Sequence, residues 1–230
     1  MSTNLTEFKK QAAETAVQEI SSGMVIGLGT GSTSKFAILK IAELIKQGRL
    51  KNIVGIPSSN ETAKEAIELG IPITGFDKHT KIDITIDGAD EVDKDLNLIK
   101  GGGGALLHEK ILAQATVKEI IIVDETKLST HLGEKWSVPV EVVPFALHVE
   151  KEYLEGMGAT VKLRMSENSK PFTTDEGNYI LDSNFGVIKQ PSVLAQKLEA
   201  RAGIAGHGLF IGLTNKVISA GKSGISILNK

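Results

Sequence analysis

Residues 81–110 read KIDITIDGADEVDKDLNLIKGGGGALLHEK, and most of the reactive side chains of the chain fall within them. Ile82-Asp83-Ile84-Thr85-Ile86 is short and rich in β-branched residues, which suits a buried strand. It ends at Asp87-Gly88-Ala89-Asp90, a turn carrying two carboxylates. Lys100 and the four glycines of residues 101–104 follow, and Glu109 stands near the start of a helical pattern over residues 106–115. In an open α/β sheet, small molecules bind just beyond the carboxyl ends of the strands. The stretch supplies that place with two acids, an ammonium, a pliant backbone run and a further acid. Such an inventory suits acid–base chemistry and calls for no cofactor.

On either side, helix and strand alternate. Apolar positions three and four apart predict an amphipathic helix over residues 5–22, followed by a strand at residues 24–28. Gly29-Thr30-Gly31-Ser32-Thr33 turns the chain into a helix over residues 35–47. Residues 53–56 read as a strand, 61–69 as a helix capped from Ser58-Ser59-Asn60, and Ile73-Thr74 as a brief strand. Residues 118–123 are a near-continuous apolar strand ending at Asp124-Glu125-Thr126-Lys127. Strands apolar on both faces and separated by helices indicate a mostly parallel sheet covered on both sides. Its crossovers place the GTGST, DGAD and DETK turns on one edge.

Composition shifts near Leu132. Residues 138–144 read as an extended segment, 146–157 as a helix and 160–165 as a half-exposed strand. Residues 172–185 read as a hairpin around Glu176-Gly177-Asn178, and 191–200 as a helix with proline in its first turn. This β-α-β-β-α order predicts a small α+β domain over residues 133–206, inserted into a main domain of residues 1–132 and 207–230. Residues 209–213 would be the closing strand of the main domain, which residues 217–228 complete.

Apolar residues make up 41% of the 230-residue chain and charged residues 23%, with a formal net charge of -2. These are ordinary values for a globular protein, and no basic block suggests a nucleic-acid surface. Cysteine is absent, so disulfides, thiolate catalysis and cysteine metal sites are excluded. The first twenty residues lack a signal-peptide core, and no apolar run reaches the roughly 18 residues of a membrane span. The cytoplasm is the default location.

GLGTGST follows a strand and opens a helix, yet Ser32 stands where a dinucleotide fingerprint needs its third glycine, and the acid expected after the next strand is missing. What remains is a nest of backbone N–H groups at a helix N-terminus with the hydroxyls of Thr30, Ser32 and Thr33, which suits a phosphate monoester. A tight turn with hydroxyl caps accounts for the same residues. DGADEVD breaks the calcium-loop pattern at Ala89 and Val92, and the five histidines form no close-spaced metal cluster. Glu91 and Asp93 read as a solvated turn, whereas Asp87, directly after a buried strand, does not. Four glycines in a row are poorly explained by solubility or packing, and close backbone approach to a ligand explains them. Glu109 has an alternative as a surface residue paired with Lys110, and Lys127 one as a solvated lysine.

Gly29-Thr30-Gly31-Ser32-Thr33, Asp87-Gly88-Ala89-Asp90-Glu91, Lys100-Gly101-Gly102-Gly103, Glu109-Lys110 and Val123-Asp124-Glu125-Thr126-Lys127 stand in the order, and with gaps compatible with, the ribose-5-phosphate isomerases of the A type, which the chain resembles over nearly its full length. Gly104 and His108 are the small departures, where relatives often carry alanine and arginine. The resemblance implies an α/β architecture: a Rossmann-like, mostly parallel sheet domain with an inserted smaller α+β (ferredoxin-like) domain. It also implies no cofactor and a homodimer or homotetramer. By the same resemblance Glu109 is the base that moves a proton between C1 and C2 of the sugar. Asp87, Asp90 and Lys100 surround the sugar, with Gly88 and Ala89 beside them, and Asp87 assists ring opening. Lys100 and the N–H groups of Gly101, Gly102 and Gly103 stabilise the enediolate. The phosphate lies against Ser32 and Thr33, with Lys9 and Lys127 as counter-charges; Gly31 completes that loop, and Thr30 of the same loop lines the sugar end. Coenzyme A transferases, amino-sugar phosphate deaminases and a non-enzymatic sugar-phosphate sensor are the competing readings.

Overall fold

The computed structural model describes residues 2–230, which form two compact units. In chain order the elements are α1 (Ser2–Val17), β1 (Val25–Leu28), α2 (Ser34–Lys46), β2 (Val54–Pro57), α3 (Asn60–Glu68), β3 (Ile82–Gly88), β4 (Glu91–Val92) and β5 (Leu98–Ile99). Then come α4 (Leu106–Ala115), β6 (Thr116–Asp124), β7 (Val138–Val142), α5 (Leu147–Gly156), β8 (Thr160–Leu163) and β9 (Tyr179–Asn184). The chain finishes with α6 (Pro191–Glu199), β10 (Ile204–His207), β11 (Leu209–Phe210), β12 (Lys216–Gly221) and β13 (Gly224–Asn229).

The first unit comprises the segment up to Ala89, His108–Lys127 and Leu213–Lys230. Its six-stranded sheet has the order β13-β12-β6-β3-β1-β2 and is parallel except for β13, a Rossmann-like arrangement. The central strands are apolar on both faces because helices cover both. Ile26, Leu28, Ile84, Ile86, Ile120 and Ile122 pack with α1 and α2, where Ala12, Ala13 and Ala16 are small enough to bring α1 close to the sheet. Ile56, Ile82 and Leu112 make a separate apolar cluster. Each such buried aliphatic side chain is worth about 1.5–3 kcal/mol. Since β1 leads to β2 on one side and β3 leads towards β6 on the other, the order reverses between β1 and β3, where ligands of open α/β sheets bind.

The second unit comprises Asp90–Leu107 and Leu128–Gly212. Its antiparallel sheet, β10-β7-β9-β8, is crossed in the order β-α-β-β-α-β, the ferredoxin-like pattern, over a core that includes Val140, Leu154, Leu181 and Leu198. A small antiparallel sheet, β11-β5-β4, completes it.

Several sequence expectations change here. Residues 90–107, 128–132 and 207–212 belong to the second unit and not to the main domain: β4, β5 and β11 pair with one another, and Leu128 and Leu132 bridge to Val92 and Ile188. Residues 209–213 are therefore not the closing strand; that role falls to β12, parallel to β6. A short apolar run fits either sheet, and its partner is decided by the tertiary fold. The brief strand at Ile73-Thr74 is a single bridge from Ile73 to Gly55. Of the 172–185 hairpin only β9 is a full strand, joined to the first arm by one bridge between Thr173 and Tyr179.

Candidate active site

Asp87 sits at the carboxyl end of β3 and is 1% exposed. Its Oδ1 accepts hydrogen bonds from Thr30 N (3.1 Å), Ser34 Oγ (3.1 Å) and Gly88 N (2.7 Å). Gly29 makes this possible: a Cβ there would lie 2.1 Å from Asp87 Oδ1 and 2.6 Å from its Cα. Thr30 is fixed from the other side. Its hydroxyl donates to Ser59 Oγ (2.9 Å) and shares hydrogen bonds with Ser58 Oγ (2.7 Å) and Thr62 Oγ1 (3.0 Å). Thus the turns after β1, β2 and β3 are laced together by hydroxyls and one buried carboxylate.

The start of α2 is the candidate anion site. Gly31 adopts φ 104°, which turns the chain into the helix, and the N-cap Thr33 makes no side-chain capping bond. First-turn N–H groups of a helix attract anions through their partial positive charge. Lys9 on α1 donates from Nζ to Ser32 Oγ at 3.0 Å, bringing an ammonium to the exposed loop. A pocket of about 260 Å³ opens beside it, lined by Thr30, Gly31, Ser32 and Thr62 but also by Glu61 and by Lys35 paired with Glu65 at 3.1 Å, so its α3 side is acidic. Lys127 ends a one-turn 3-10 helix at the carboxyl end of β6, on the same sheet edge, and is half-buried. Glu109, in the first turn of α4, is 6% exposed. Its carboxylate is therefore not an exposed surface group.

The second unit carries the other candidates. Lys100 is 2% exposed, with Nζ 5.6 Å from the centre of the Phe210 ring, and its N–H donates to Gly208 O at 2.9 Å. Asp90 accepts the Gly102 N–H at Oδ2, 2.7 Å away. Gly101 and Gly104 have φ of 99° and 87°, and a Cβ on Gly104 would lie 2.4 Å from the Phe172 ring. Two of the four glycines are thus required by backbone geometry alone, while Gly102 and Gly103 remain exposed.

Glu91 and Asp93 are not solvated, contrary to the sequence reading. Glu91 is fully buried and accepts the N–H groups of Gly133, Lys135 and Trp136; Asp93, 6% exposed, accepts those of Asp95 and Asn97. Both acids satisfy loop backbone. Sequence reasoning gave Gly29, which it quoted only as part of the turn, and Ser34 no role at the site, although both lie inside or beside it. It saw Ser58 and Ser59 only as caps.

A family profile described as Ribose 5-phosphate isomerase A (phosphoriboisomerase A) matches residues 54–224. The chain is similar to the ribose-5-phosphate isomerase A of Desulfatibacillum aliphaticivorans, 57% identical over 223 residues that span 97% of each chain. The ribose 5-phosphate isomerase of Plasmodium falciparum superposes with a TM-score of 0.95 at 42% identity, covering 98% of this chain and 99% of that one. A D-ribose-5-phosphate isomerase solved in complex with phospho-erythronic acid superposes with a TM-score of 0.97 at 41% identity, covering 99% and 100%.

Proposed function

This chain belongs to the ribose 5-phosphate isomerase A family, and from that premise we propose how its own residues carry the interconversion of D-ribose 5-phosphate and D-ribulose 5-phosphate. In the forward direction the open-chain aldose loses the proton on C2 and gains one on C1, while the hydroxyl proton of O2 ends on O1. Glu109 takes the proton from C2 and returns it to C1. Its burial is the single observation that carries the assignment. A base shielded from bulk water holds the abstracted proton instead of exchanging it, and stays oriented by its helix.

Lys100 and the N–H groups of Gly101 and Gly103 stabilise the charge on O1 and O2 of the enediolate, the Gly102 N–H being held by Asp90. Preorganised donors of this kind are worth about 3 kcal/mol each in barrier height. The similar solved isomerase is in complex with phospho-erythronic acid, a phosphorylated sugar acid whose carboxylate offers two charged oxygens to such donors. Asp87 assists ring opening, and Asp90 fixes the glycine run through Gly102. Ser32, Thr33, Lys9 and Lys127 take the phosphate, whose anchoring supplies binding energy remote from the reacting carbons.

The chain acts as a homodimer or homotetramer in the cytoplasm. The assembly is supported by β13, all six of whose residues are exposed, including Ile225 and Ile227, an edge strand of the kind that a second copy covers. Light scattering of the purified protein tests the assembly. For the chemistry, Glu109→Gln keeps shape and removes the base: turnover drops at least about 10²-fold with KM little changed. Near-normal turnover would take Glu109 out of the role.

A further inference from the structure

The glycine run is held by a side chain more than sixty positions away. Arg164, just after β8, donates from Nη1 to Gly101 O at 2.8 Å and to Gly102 O at 3.2 Å. Its other edge is locked on Asp182 of β9, with Nε to Oδ2 at 3.0 Å and Nη2 to Oδ1. Phe172 lies 5.9 Å from the guanidinium carbon and fills the space that a side chain on Gly104 would need. Asp90 meanwhile holds the Gly102 N–H. The peptide between Gly101 and Gly102 is therefore gripped at both ends. In a trans peptide the carbonyl and the N–H point to opposite sides. Arg164 on the Gly102 carbonyl thus directs the Gly103 N–H away from itself.

We infer that Arg164, braced by Asp182, is a positioning residue of the isomerisation: it clamps the carbonyls of Gly101 and Gly102 so that the glycine run, whose Gly102 N–H is held by Asp90, presents the Gly103 N–H to the developing enediolate. Consecutive glycines form the least restrained backbone available, and donors that must reorganise during the reaction lose most of their effect. The guanidinium supplies what an ammonium cannot, a planar fork that grips a carboxylate on one edge and carbonyls on another. Its positive charge at two carbonyls also polarises the peptides and strengthens the N–H groups opposite. Nothing in the local sequence of LRMS marks this role.

The inference rests on the assignment of the glycine run and Lys100 to the enediolate, so Lys100→Met is measured alongside Arg164→Ala, Arg164→Lys and Asp182→Asn. The readouts are kcat and KM for ribose 5-phosphate, the Kd values of 4-phosphoerythronate and inorganic phosphate by calorimetry, and the folded fraction by circular dichroism. Arg164→Ala lowers kcat per folded molecule by about 10- to 100-fold, with KM within about threefold. It weakens 4-phosphoerythronate by a similar factor and leaves phosphate unchanged. Arg164→Lys and Asp182→Asn fall between. Methylguanidinium restores part of the Arg164→Ala turnover, entering by the pocket of about 400 Å³ lined by Gly102, Lys135, Trp136, Ser137, Arg164 and Asp182. A loss of activity that only tracks the folded fraction, or unchanged analogue binding in Arg164→Ala while Lys100→Met loses it, overturns the clamp. If Lys100→Met itself leaves 4-phosphoerythronate binding intact, the enediolate assignment fails first.

Discussion

Replacing Gly29 by alanine inverts the usual sign of such a change. Gly29 does not have a left-handed backbone, so alanine fits its φ and should gain about 0.4–1 kcal/mol by restricting the unfolded chain. The new Cβ, however, would lie 2.1 Å from Asp87 Oδ1, 2.4 Å from Cγ and 2.6 Å from Cα. Rotating Asp87 away relieves the first two clashes but breaks the three hydrogen bonds at Oδ1, each worth about 1 kcal/mol. The third clash is with the main chain of Asp87, and no side-chain rotation relieves it. It yields only if β1 and β3 part, and they are held by Gly29 N on Ile86 O at 3.1 Å and by the pairing of Leu28 with Ile86. Overpacking of this kind costs about 1–3 kcal/mol. The net loss is then about 3–5 kcal/mol, and turnover falls at least about 10-fold because Asp87 leaves its place. Urea unfolding gives the first quantity and ketose formation from ribose 5-phosphate the second. Gly156, the last residue of α5, has nothing within 4 Å of its would-be Cβ, so Gly156→Ala is the control and gains about 0.5–1 kcal/mol. A Gly29→Ala protein as stable and as active as the parent would refute the close seating of Asp87 on the turn after β1.

The phosphate assignment predicts that Lys127→Ala and Lys9→Ala each raise KM about 10-fold with little effect on kcat, as expected for a charge-assisted contact made equally in ground and transition states; unchanged KM in both removes them from the site. Glu19 supplies a pH test. Burial works to raise the pKa of its carboxyl, but hydrogen bonds from Lys118 and Lys216 outweigh this and hold it below the ordinary range. A depressed carboxylate contributes stability above its unfolded pKa and loses it as pH falls through the folded one. Glu19→Gln therefore destabilises by at most about 1 kcal/mol at neutral pH, and the gap closes on acidification. A gap that widens in acid, measured by urea unfolding at both pH values, would contradict the ion pairs.

The local pattern of the chain determined a good deal. β-Branched runs ending at Leu28, Gly88 and Asp124 marked three parallel strands, and their polar turns fell on one sheet edge because parallel crossovers leave no other choice. The motifs carried the family, and the β-α-β-β-α order announced the inserted module. Partner selection was a different matter. Leu209-Phe210 is apolar enough for the main sheet but pairs with Leu98 and Ile99. Glu91 and Asp93 look like solvated acids until loop N–H groups close on them. Arg164 is an ordinary strand-end arginine until folding brings it to the carbonyls of Gly101 and Gly102. Periodicity and turn chemistry act over a few residues and are written in the order of the chain. Which buried donor meets which acceptor depends on contacts spanning dozens of residues, and only the packed chain, which must satisfy nearly every buried polar group at once, decides it.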